Sequence, residues 1–147
     1  MKLVVQRVTN ASVEVDDSIV GEIQEGLMVL VGFGITDGER EADYLAKKLT
    51  KLRIFQDENG RMNKSVKDIG GKLLLVPQFT LYASTKKNRP SFHKALDPEK
   101  ATELFDYFAG KCSETVDVET GEFGAFMKVQ LLNNGPVTIL LEKEYDE

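Results

Sequence analysis

The chain has 147 residues, of which 41% are hydrophobic and 29% charged, a composition typical of one soluble globular domain. A net charge of −5 argues against general polyanion binding, so any nucleic-acid contact should be local. The single cysteine excludes an internal disulfide framework, and no apolar run is long enough to span a bilayer. The N-terminus lacks a signal-peptide pattern, so we expect a cytoplasmic protein with one domain over residues 1–147.

The first part of the chain predicts β-strands. Residues 2–15 alternate apolar and polar side chains, and Asp16-Asp17-Ser18 predicts a turn into the strand "IVGEI". The run "GLMVLVGFG" (26–34) is continuously apolar. It therefore predicts a central strand that is buried on both faces.

A helix is predicted from about Glu39 to Leu52, because apolar residues recur there at helical spacing. Asp37 or Thr36 is expected to cap its N-terminus. The segment "FQDENGRMN" then predicts a hairpin around Asn59-Gly60.

The second half begins with the apolar segment "GGKLLLVPQFTLYA" (70–83), which predicts a strand with a bulge, an edge or an end at Pro77. A polar loop follows, and then a helix from about Pro98 to Lys111, whose apolar stripe favours Cys112 as a core residue over a nucleophile. The chain ends in strands within "TVDVETG", "FMKVQLL" and "PVTILLE". These elements predict an α+β fold of curved, mainly antiparallel, barrel-like sheets with two helices on one side.

Metal and cofactor chemistry has little support. One histidine, His93, and one cysteine cannot form the usual zinc sites. No nucleophile elbow or phosphate-binding loop is present in the sequence. We therefore expect no metal and no cofactor.

The sequence contains two basic clusters. The first is Lys47, Lys48, Lys51 and Arg53, and the second is Lys86, Lys87, Arg89 and Lys94. Either cluster could contact nucleic acid. The simpler interpretation is a solvated helix face for the first cluster and a polar loop for the second.

Three stretches depart from ordinary strand or helix patterns, which is most common at functional sites. They are "VPQFTL" (76–81), "KKNRPSF" (86–92) and "GEFGAFMKVQLLNNGPVT" (121–138). Together with "QRV" (6–8) and "GL" (26–27), they resemble the D-aminoacyl-tRNA deacylase family over essentially the whole chain. That family pairs Ser-Gln-Phe-Thr-Leu with Asn-x-Gly-Pro-x-Thr, and the matching residues here are 77–81 and 133–138.

Two positions depart from the family pattern. Pro77 replaces the usual serine and carries neither a hydroxyl nor an amide proton, so it can be neither a nucleophile nor a donor. Any activity must therefore be independent of that serine. Asn88 stands where glycine is common, and asparagine tolerates left-handed backbone angles better than most residues.

The resemblance implies an esterase that cleaves D-amino acids, or glycine, from the terminal ribose of tRNA. It also implies a homodimer with each active site near the interface, and a cis Gly135-Pro136 peptide supplied by the partner subunit. Periodicity alone would favour an ordinary trans turn at Gly135-Pro136. In the cis form the two carbonyls could accept from the α-ammonium group while the main chain excludes an L side chain.

The catalytic residues are expected in the first motif. An aminoacyl ester is already activated, so the amides of Phe79 and Thr80 could suffice as oxyanion donors. Gln78 would orient the adenosine or the ester, and the family implies help from the ribose 2′-hydroxyl. The Thr80 hydroxyl is either a nucleophile or a positioning group; the second is favoured because no base neighbours it in the sequence.

The remaining assignments concern support and tRNA binding. Arg7 is interpreted as a scaffold residue that fixes the Gly-Pro segment, and Thr138 as a supporting residue. Phe123 and Met127 either line the pocket or pack in the core. Lys86, Lys87 and Arg89 are the candidates for contacts with tRNA phosphates. For His93, a surface or structural role is favoured over catalysis.

Two other functions stay open. The main alternative is a non-catalytic dimer with a deacylase-like fold that binds tRNA ends or another ligand, with Pro77 marking lost activity. A purely structural β-rich dimer is the third, but it leaves the coincidence of both motifs without an explanation.

Overall fold

The computed structural model describes residues 1–145, which contain eight strands, two α-helices and one short 3-10 helix. The strands, in chain order, are β1 (Lys2–Val15), β2 (Ser18–Ile23), β3 (Gly26–Gly32), β4 (Phe55–Gln56), β5 (Met62–Lys64), β6 (Lys72–Pro77), β7 (Asp117–Thr120) and β8 (Lys128–Glu142). The helices are α1 (Glu39–Lys51) and α2 (Pro98–Ser113), and the 3-10 helix is Phe79–Tyr82.

The main sheet is organised around β1. One edge of β1 pairs with β8, and the other pairs first with β3 and then with β2, all antiparallel. The strands β3, β6 and β7 continue the sheet as parallel neighbours. The sheet curls so far that a Cβ atom on Gly21 would lie 2.7 Å from the Thr120 carbonyl oxygen, which brings β2 against β7. The predicted α+β fold with a barrel-like, mainly antiparallel sheet is confirmed.

Both helices pack on one face of this sheet. Ala42, Leu45 and Leu49 of α1 join Phe105 and Phe108 of α2 in the main core, against the inner faces of β1, β3 and β6. Cys112 is fully buried in the same core, as its place in the apolar stripe predicts. No helix in the described part of the chain is long and apolar enough to cross a membrane.

The predicted cap of α1 is wrong. Gly38 is the N-cap residue, and its amide donates to the Glu41 side chain at 3.1 Å. The Asp37 carboxylate instead accepts from the Gly34 amide and pairs with the Met1 amino group, both at 2.6 Å. A buried carboxylate satisfied by a cation and an amide is unavailable to the helix. The cap of α2 is Asp97, directly before Pro98.

The predicted turns occur where the sequence places them. Asp16 and Asp17 adopt positive φ between β1 and β2, and Gly60 (φ +76°) lies in the turn between β4 and β5. Of the three outcomes predicted at Pro77, the strand end is the one observed: β6 ends at Pro77 and a 3-10 helix follows.

The C-terminal strands are also joined differently from the prediction. The two segments on either side of Asn133–Pro136 belong to one strand, β8, which pairs with β1 before and after the interruption. Asn133 pairs with Val8 and Thr138 with Gln6, so four residues of β8 lie opposite Arg7 alone. Residues 133–138, called the Gly-Pro loop below, therefore bulge from a strand that keeps its partner.

Candidate active site

The end of β6 leaves two backbone donors free. Pro77 pairs with Val31 at the last position of β6, and the next amide, that of Gln78, donates to the Val31 carbonyl at 2.8 Å. The chain then turns into the 3-10 helix, whose first amides have no acceptor within it. Within residues 1–145, the amides of Phe79 and Thr80 form no hydrogen bond to another protein group. Two adjacent donors thus lie at a strand end beside solvent.

The side chains at this strand end face each other. The Gln78 side-chain amide donates to the Thr80 hydroxyl oxygen at 2.7 Å, and both side chains reach solvent. Among the described residues, the Thr80 hydroxyl has no bond to an imidazole, amine or carboxylate. A hydroxyl without a neighbouring base is hard to deprotonate near neutral pH. The geometry therefore favours positioning over nucleophilic attack for Thr80.

A cavity of about 530 Å³ opens beside these residues. Its walls come from the end of β6, the start of the 3-10 helix and the segment that joins β7 to β8. Phe123 and Met127 line the cavity, and each also packs against the hydrophobic core, so the two roles foreseen for them coexist. Largely apolar walls with a few convergent polar groups are typical of ligand sites.

One cavity residue was missed by the sequence reasoning. Phe126 is 88% exposed and lines the cavity with Gly124 and Ala125. The signal that could have found it was the apolar run "FGAFM" (123–127), in which a second phenylalanine stands in a glycine-containing loop. Its ring adds exposed apolar surface to the cavity wall.

The basic loop between the 3-10 helix and α2 is tied to this site. Ser84 and Ser91 exchange backbone hydrogen bonds, and the Phe92 ring meets the Phe79 ring edge-on with 5.0 Å between centroids. Lys86, Lys87 and Arg89 are all exposed at the tip of this loop.

His93 lies in the same loop but outside the cavity. Its Nδ1 atom lies 3.1 Å from the Ser91 hydroxyl, and the ring is exposed. His93 is absent from the cavity walls, which agrees with the interpretation of a surface or structural residue.

The Gly-Pro loop is held by two side chains. Arg7 is 7% exposed; its Nε donates to the Asn134 carbonyl at 2.9 Å and its Nη1 to the Ile54 carbonyl at 2.7 Å. The Asn133 side chain accepts from the Val137 amide at 2.8 Å and donates toward Val137 O and Thr138 Oγ1. The Gly135-Pro136 peptide is cis, as the family resemblance implies.

Within one chain, the loop and the cavity are separate. Gly135 and Pro136 are exposed and do not line the cavity beside Gln78. The sequence reasoning identified Arg7 as a scaffold residue but gave no role to Asn133. Its signal was available: asparagine side chains commonly bond nearby backbone groups in turns, and Asn133 stands directly before the Asn-Gly-Pro step.

The titratable side chains with shifted pKa values lie away from the cavity. Burial raises the pKa of the Cys112 thiol to about 12, which leaves it protonated and unreactive near neutral pH. Burial, and then the charge of Asp37, raises the pKa of Tyr82. No cluster of three or more His, Cys, Asp or Glu side chains that could hold a metal occurs among residues 1–145.

Known proteins match this chain over nearly its whole length. The family model described as D-Tyr-tRNA(Tyr) deacylase matches residues 4–142. The chain belongs to that deacylase family. A D-aminoacyl-tRNA deacylase of Roseiflexus sp. (strain RS-1) is 56% identical over 144 residues, covering 97% of this chain and 93% of the relative. Members of the family are ester hydrolases, so the protein is an enzyme of the deacylase class.

Two solved structures resemble the deacylase fold described above. The structure described as "c-Myc DNA Unwinding Element Binding Protein" has a TM-score of 0.94 and 40% identity, and the match covers 99% of this chain and 100% of that one. The second, "Structural Analysis of a probable eukaryotic D-amino acid tRNA deacylase", has a TM-score of 0.83 and 18% identity, with 95% and 97% covered. The second match supports the fold alone.

Proposed function

We propose that this deacylase, as a single domain, hydrolyses the ester between a D-amino acid, or glycine, and the 3′-terminal ribose of tRNA. The observation that carries the proposal is the pair of unbonded amides, at Phe79 and Thr80, beside the Gln78 cavity. A site that offers main-chain donors and no side-chain base fits an ester that is already activated.

The amides of Phe79 and Thr80 would bind the oxyanion that forms when water attacks the ester carbonyl. Such donors contribute ~3 kcal/mol each to transition-state stabilisation. The Gln78 side chain, held 2.7 Å from the Thr80 hydroxyl, would orient the adenosine or the ester. The ribose 2′-hydroxyl would assist the attack, which removes the need for a protein base.

The Gly-Pro loop would act as the chiral filter. The Gly135 and Pro136 carbonyls would accept from the α-ammonium group, while the main chain blocks the space that an L side chain requires. The support is the clamp: Arg7 and Asn133 bind the loop on both sides of this dipeptide. Enantiomers carry the same groups, so discrimination by collision suits this task.

A second copy of the chain would bring this loop to the cavity. Two observations support a homodimer. First, Gly135 and Pro136 do not line the cavity of their own chain. Second, within residues 1–145 β8 pairs along one edge only, and it exposes Leu132 by 57% and Leu140 by 74%. A long edge strand with apolar side chains is normally covered by a partner.

The tRNA end would be steered by the basic loop. Lys86, Lys87 and Arg89 are exposed on a loop whose Phe92 packs against Phe79, a residue of the cavity wall. Contacts of cations with phosphates position the nucleic acid without reading its sequence. We assign these three residues to the phosphates of the 3′ end.

The decisive test is deacylation of D-tyrosyl-tRNA and L-tyrosyl-tRNA by the purified protein under single-turnover conditions. We expect release of D-tyrosine to be faster by roughly 100-fold or more, since exclusion by steric conflict costs several kcal/mol. Comparable rates for both substrates would contradict the chiral filter. Tight binding of both without release would favour the non-catalytic alternative.

EDTA should leave the rate unchanged, and a loss of activity that one added metal restores would contradict the metal-free mechanism.

A further inference from the structure

A second cationic surface lies at the C-terminal end of α1. Residues 47–53 contain four Lys or Arg residues and no acidic residue, in a chain whose net charge is −5. All four cations line one groove of about 470 Å³, called the α1 groove below. It is lined by Lys47, Lys48, Lys51 and Arg53, together with Tyr44 and Leu52. No acidic residue is among the described residues that line the groove.

The described cations of the α1 groove are not held in ion pairs, although Asp43 and Glu114 line an adjacent pocket with Lys47 and Lys51. The four side chains are exposed, and within residues 1–145 none forms an ion pair at 4.0 Å or less. Arg53 Nε donates to the Asn63 carbonyl at 2.8 Å, so the hairpin that follows holds its guanidinium in place. Its charge also contributes, after hydrogen bonds from Ser65, to lowering the pKa of Asp68. Exposed cations without an ion-pair partner, gathered along one groove, fit a polyanion better than a protein partner.

The α1 groove is joined to the Gly-Pro loop by a single buried side chain. Arg7 donates to Ile54, the residue directly after Arg53, and to Asn134, the residue directly before Gly135. One side chain therefore binds the segment that follows the groove and the segment that forms the loop.

We propose that the α1 groove binds backbone phosphates of the tRNA acceptor arm while the 3′ end occupies the cavity of the other subunit. The inference rests on the proposed function, in which the Gly-Pro loop of one subunit reaches the cavity of its partner. The groove, joined to that loop through Arg7, then lies beside the partner's cavity. Each tRNA thus contacts both subunits: the one that cleaves the ester and the one that sorts the enantiomers.

The first test compares two substrates for the charge variant Lys48→Gln/Lys51→Gln. We expect kcat/KM for D-tyrosyl-tRNA to fall about tenfold at ~0.1 M salt. The slope of log kcat/KM against log salt concentration should become less negative by about one to two, because each lost phosphate contact contributes nearly one unit to that slope. Hydrolysis of D-tyrosyl-adenosine, which lacks the RNA helix, should be unchanged. The matched control is Lys72→Gln/Lys100→Gln, which removes the same charge away from the groove and should leave both rates unchanged.

The two substrates also separate the two proposals. If the wild-type protein cleaves neither D-tyrosyl-adenosine nor D-tyrosyl-tRNA, the proposed function fails. If it cleaves both, and the Lys48→Gln/Lys51→Gln variant retains the wild-type rate and salt slope on tRNA, the groove proposal alone is overturned. A parallel loss on D-tyrosyl-adenosine would also overturn it, since the effect would then be structural.

The second test places the groove on the opposite subunit. Differently tagged chains give mixed dimers in which one cavity is filled by Ala125→Trp. The tenfold loss on tRNA should occur when the two lysine substitutions are on the subunit with the filled cavity, because the open cavity then faces the altered groove. The same loss when the substitutions lie on the subunit with the open cavity would overturn the cross-subunit assignment.

Discussion

Proline interrupts a strand at two places in this molecule, and the consequences are opposite. After Pro77, at the end of β6, two consecutive amides stay without protein acceptors beside a cavity. Around Pro136, in the middle of β8, the neighbouring groups are bound by Arg7 and Asn133. Proline removes a ladder hydrogen bond in both cases. The surrounding side chains decide whether the released backbone becomes available to a ligand or is fixed in one shape.

This contrast assigns different tasks to the two regions. A segment that stabilises charge in a transition state needs free donors, whereas a segment that excludes one enantiomer needs a fixed shape. The dimer contact and the two side chains that fix the Gly-Pro loop can each be removed by substitution, and the largest expected effect comes first.

The largest effect is expected from separating the subunits. Leu132→Glu places a charge on the exposed face of β8, where we expect the second copy to pack. The protein should become monomeric in sedimentation experiments, and deacylation should fall by roughly 100-fold or more, as charged substitutions at interface centres typically do. Ile19→Glu, on β2, is the control because Ile19 is similarly exposed at 53%. A monomer with full activity would contradict a loop supplied in trans.

Loss of the two Arg7 hydrogen bonds should lower the stability of the fold. In Arg7→Met, the carbonyls of Ile54 and Asn134 lose their donor in a buried environment. The free energy of unfolding should fall by about 3 kcal/mol, since hydrogen bonds from charged groups contribute most when one partner is left unsatisfied. Urea denaturation measures this change. Arg61→Met, in the exposed hairpin turn, should change the free energy of unfolding little. Equal losses in both variants would contradict the role of Arg7 in fixing the Gly-Pro loop.

Loss of the Asn133 contacts should act on selectivity more than on stability. Asn133→Ala removes the acceptor of the Val137 amide and the donor to Thr138, so the loop gains freedom. We expect the ratio of D- to L-tyrosyl-tRNA hydrolysis to fall about tenfold, as expected for the loss of one or two hydrogen bonds. Asn134→Ala is a matched neighbour, because only its backbone carbonyl holds the loop. An unchanged ratio in Asn133→Ala would show that the loop keeps its shape without this side chain.

Much of the fold was readable from residue patterns, for physical reasons that are local. The apolar run 26–34 and the helical spacing from about Glu39 to Leu52 each require burial on a defined face, and both elements occur, as β3 (Gly26–Gly32) and α1 (Glu39–Lys51). The cap of α1 was not readable, because Asp37 is bound by the Met1 amino group and Gly34, and the first of these contacts is remote in sequence. The continuity of β8 also depended on a distant partner, since β1 pairs with it on both sides of the interruption.

The candidate site was predictable only in part for the same reason. Pro77 predicts a strand end because proline has no N–H to donate, so amides without a partner could be expected after it. The binding of Asn134 by Arg7 joins residues separated by 127 positions, and no local pattern encodes it. The separation of the Gly-Pro loop from the cavity likewise emerges only when the chain is folded.

The smallest effect concerns the pH dependence of stability that the buried thiol of Cys112 contributes. Burial raises the pKa of Cys112 from 9.0 to about 12, so the unfolded chain ionises first as the pH rises. Its contribution to stability should be complete below pH 9 and disappear as the pH approaches 12, at about 1.4 kcal/mol per pH unit. Comparing the unfolding free energies of wild type and Cys112→Ala from pH 7 to 10 measures it. A gap that widens with pH would contradict the sign.

The most direct test of main-chain catalysis is the single-turnover rate of Thr80→Val on D-tyrosyl-tRNA. This substitution keeps the shape and the backbone amide but removes the hydroxyl that accepts from Gln78. We predict a loss of less than about tenfold, the size of one neutral hydrogen bond, with Thr80→Ser close to wild type. A loss of roughly a thousandfold in Thr80→Val, with substrate binding intact and activity retained by Thr80→Ser, would show that the hydroxyl performs the chemistry and would contradict the account.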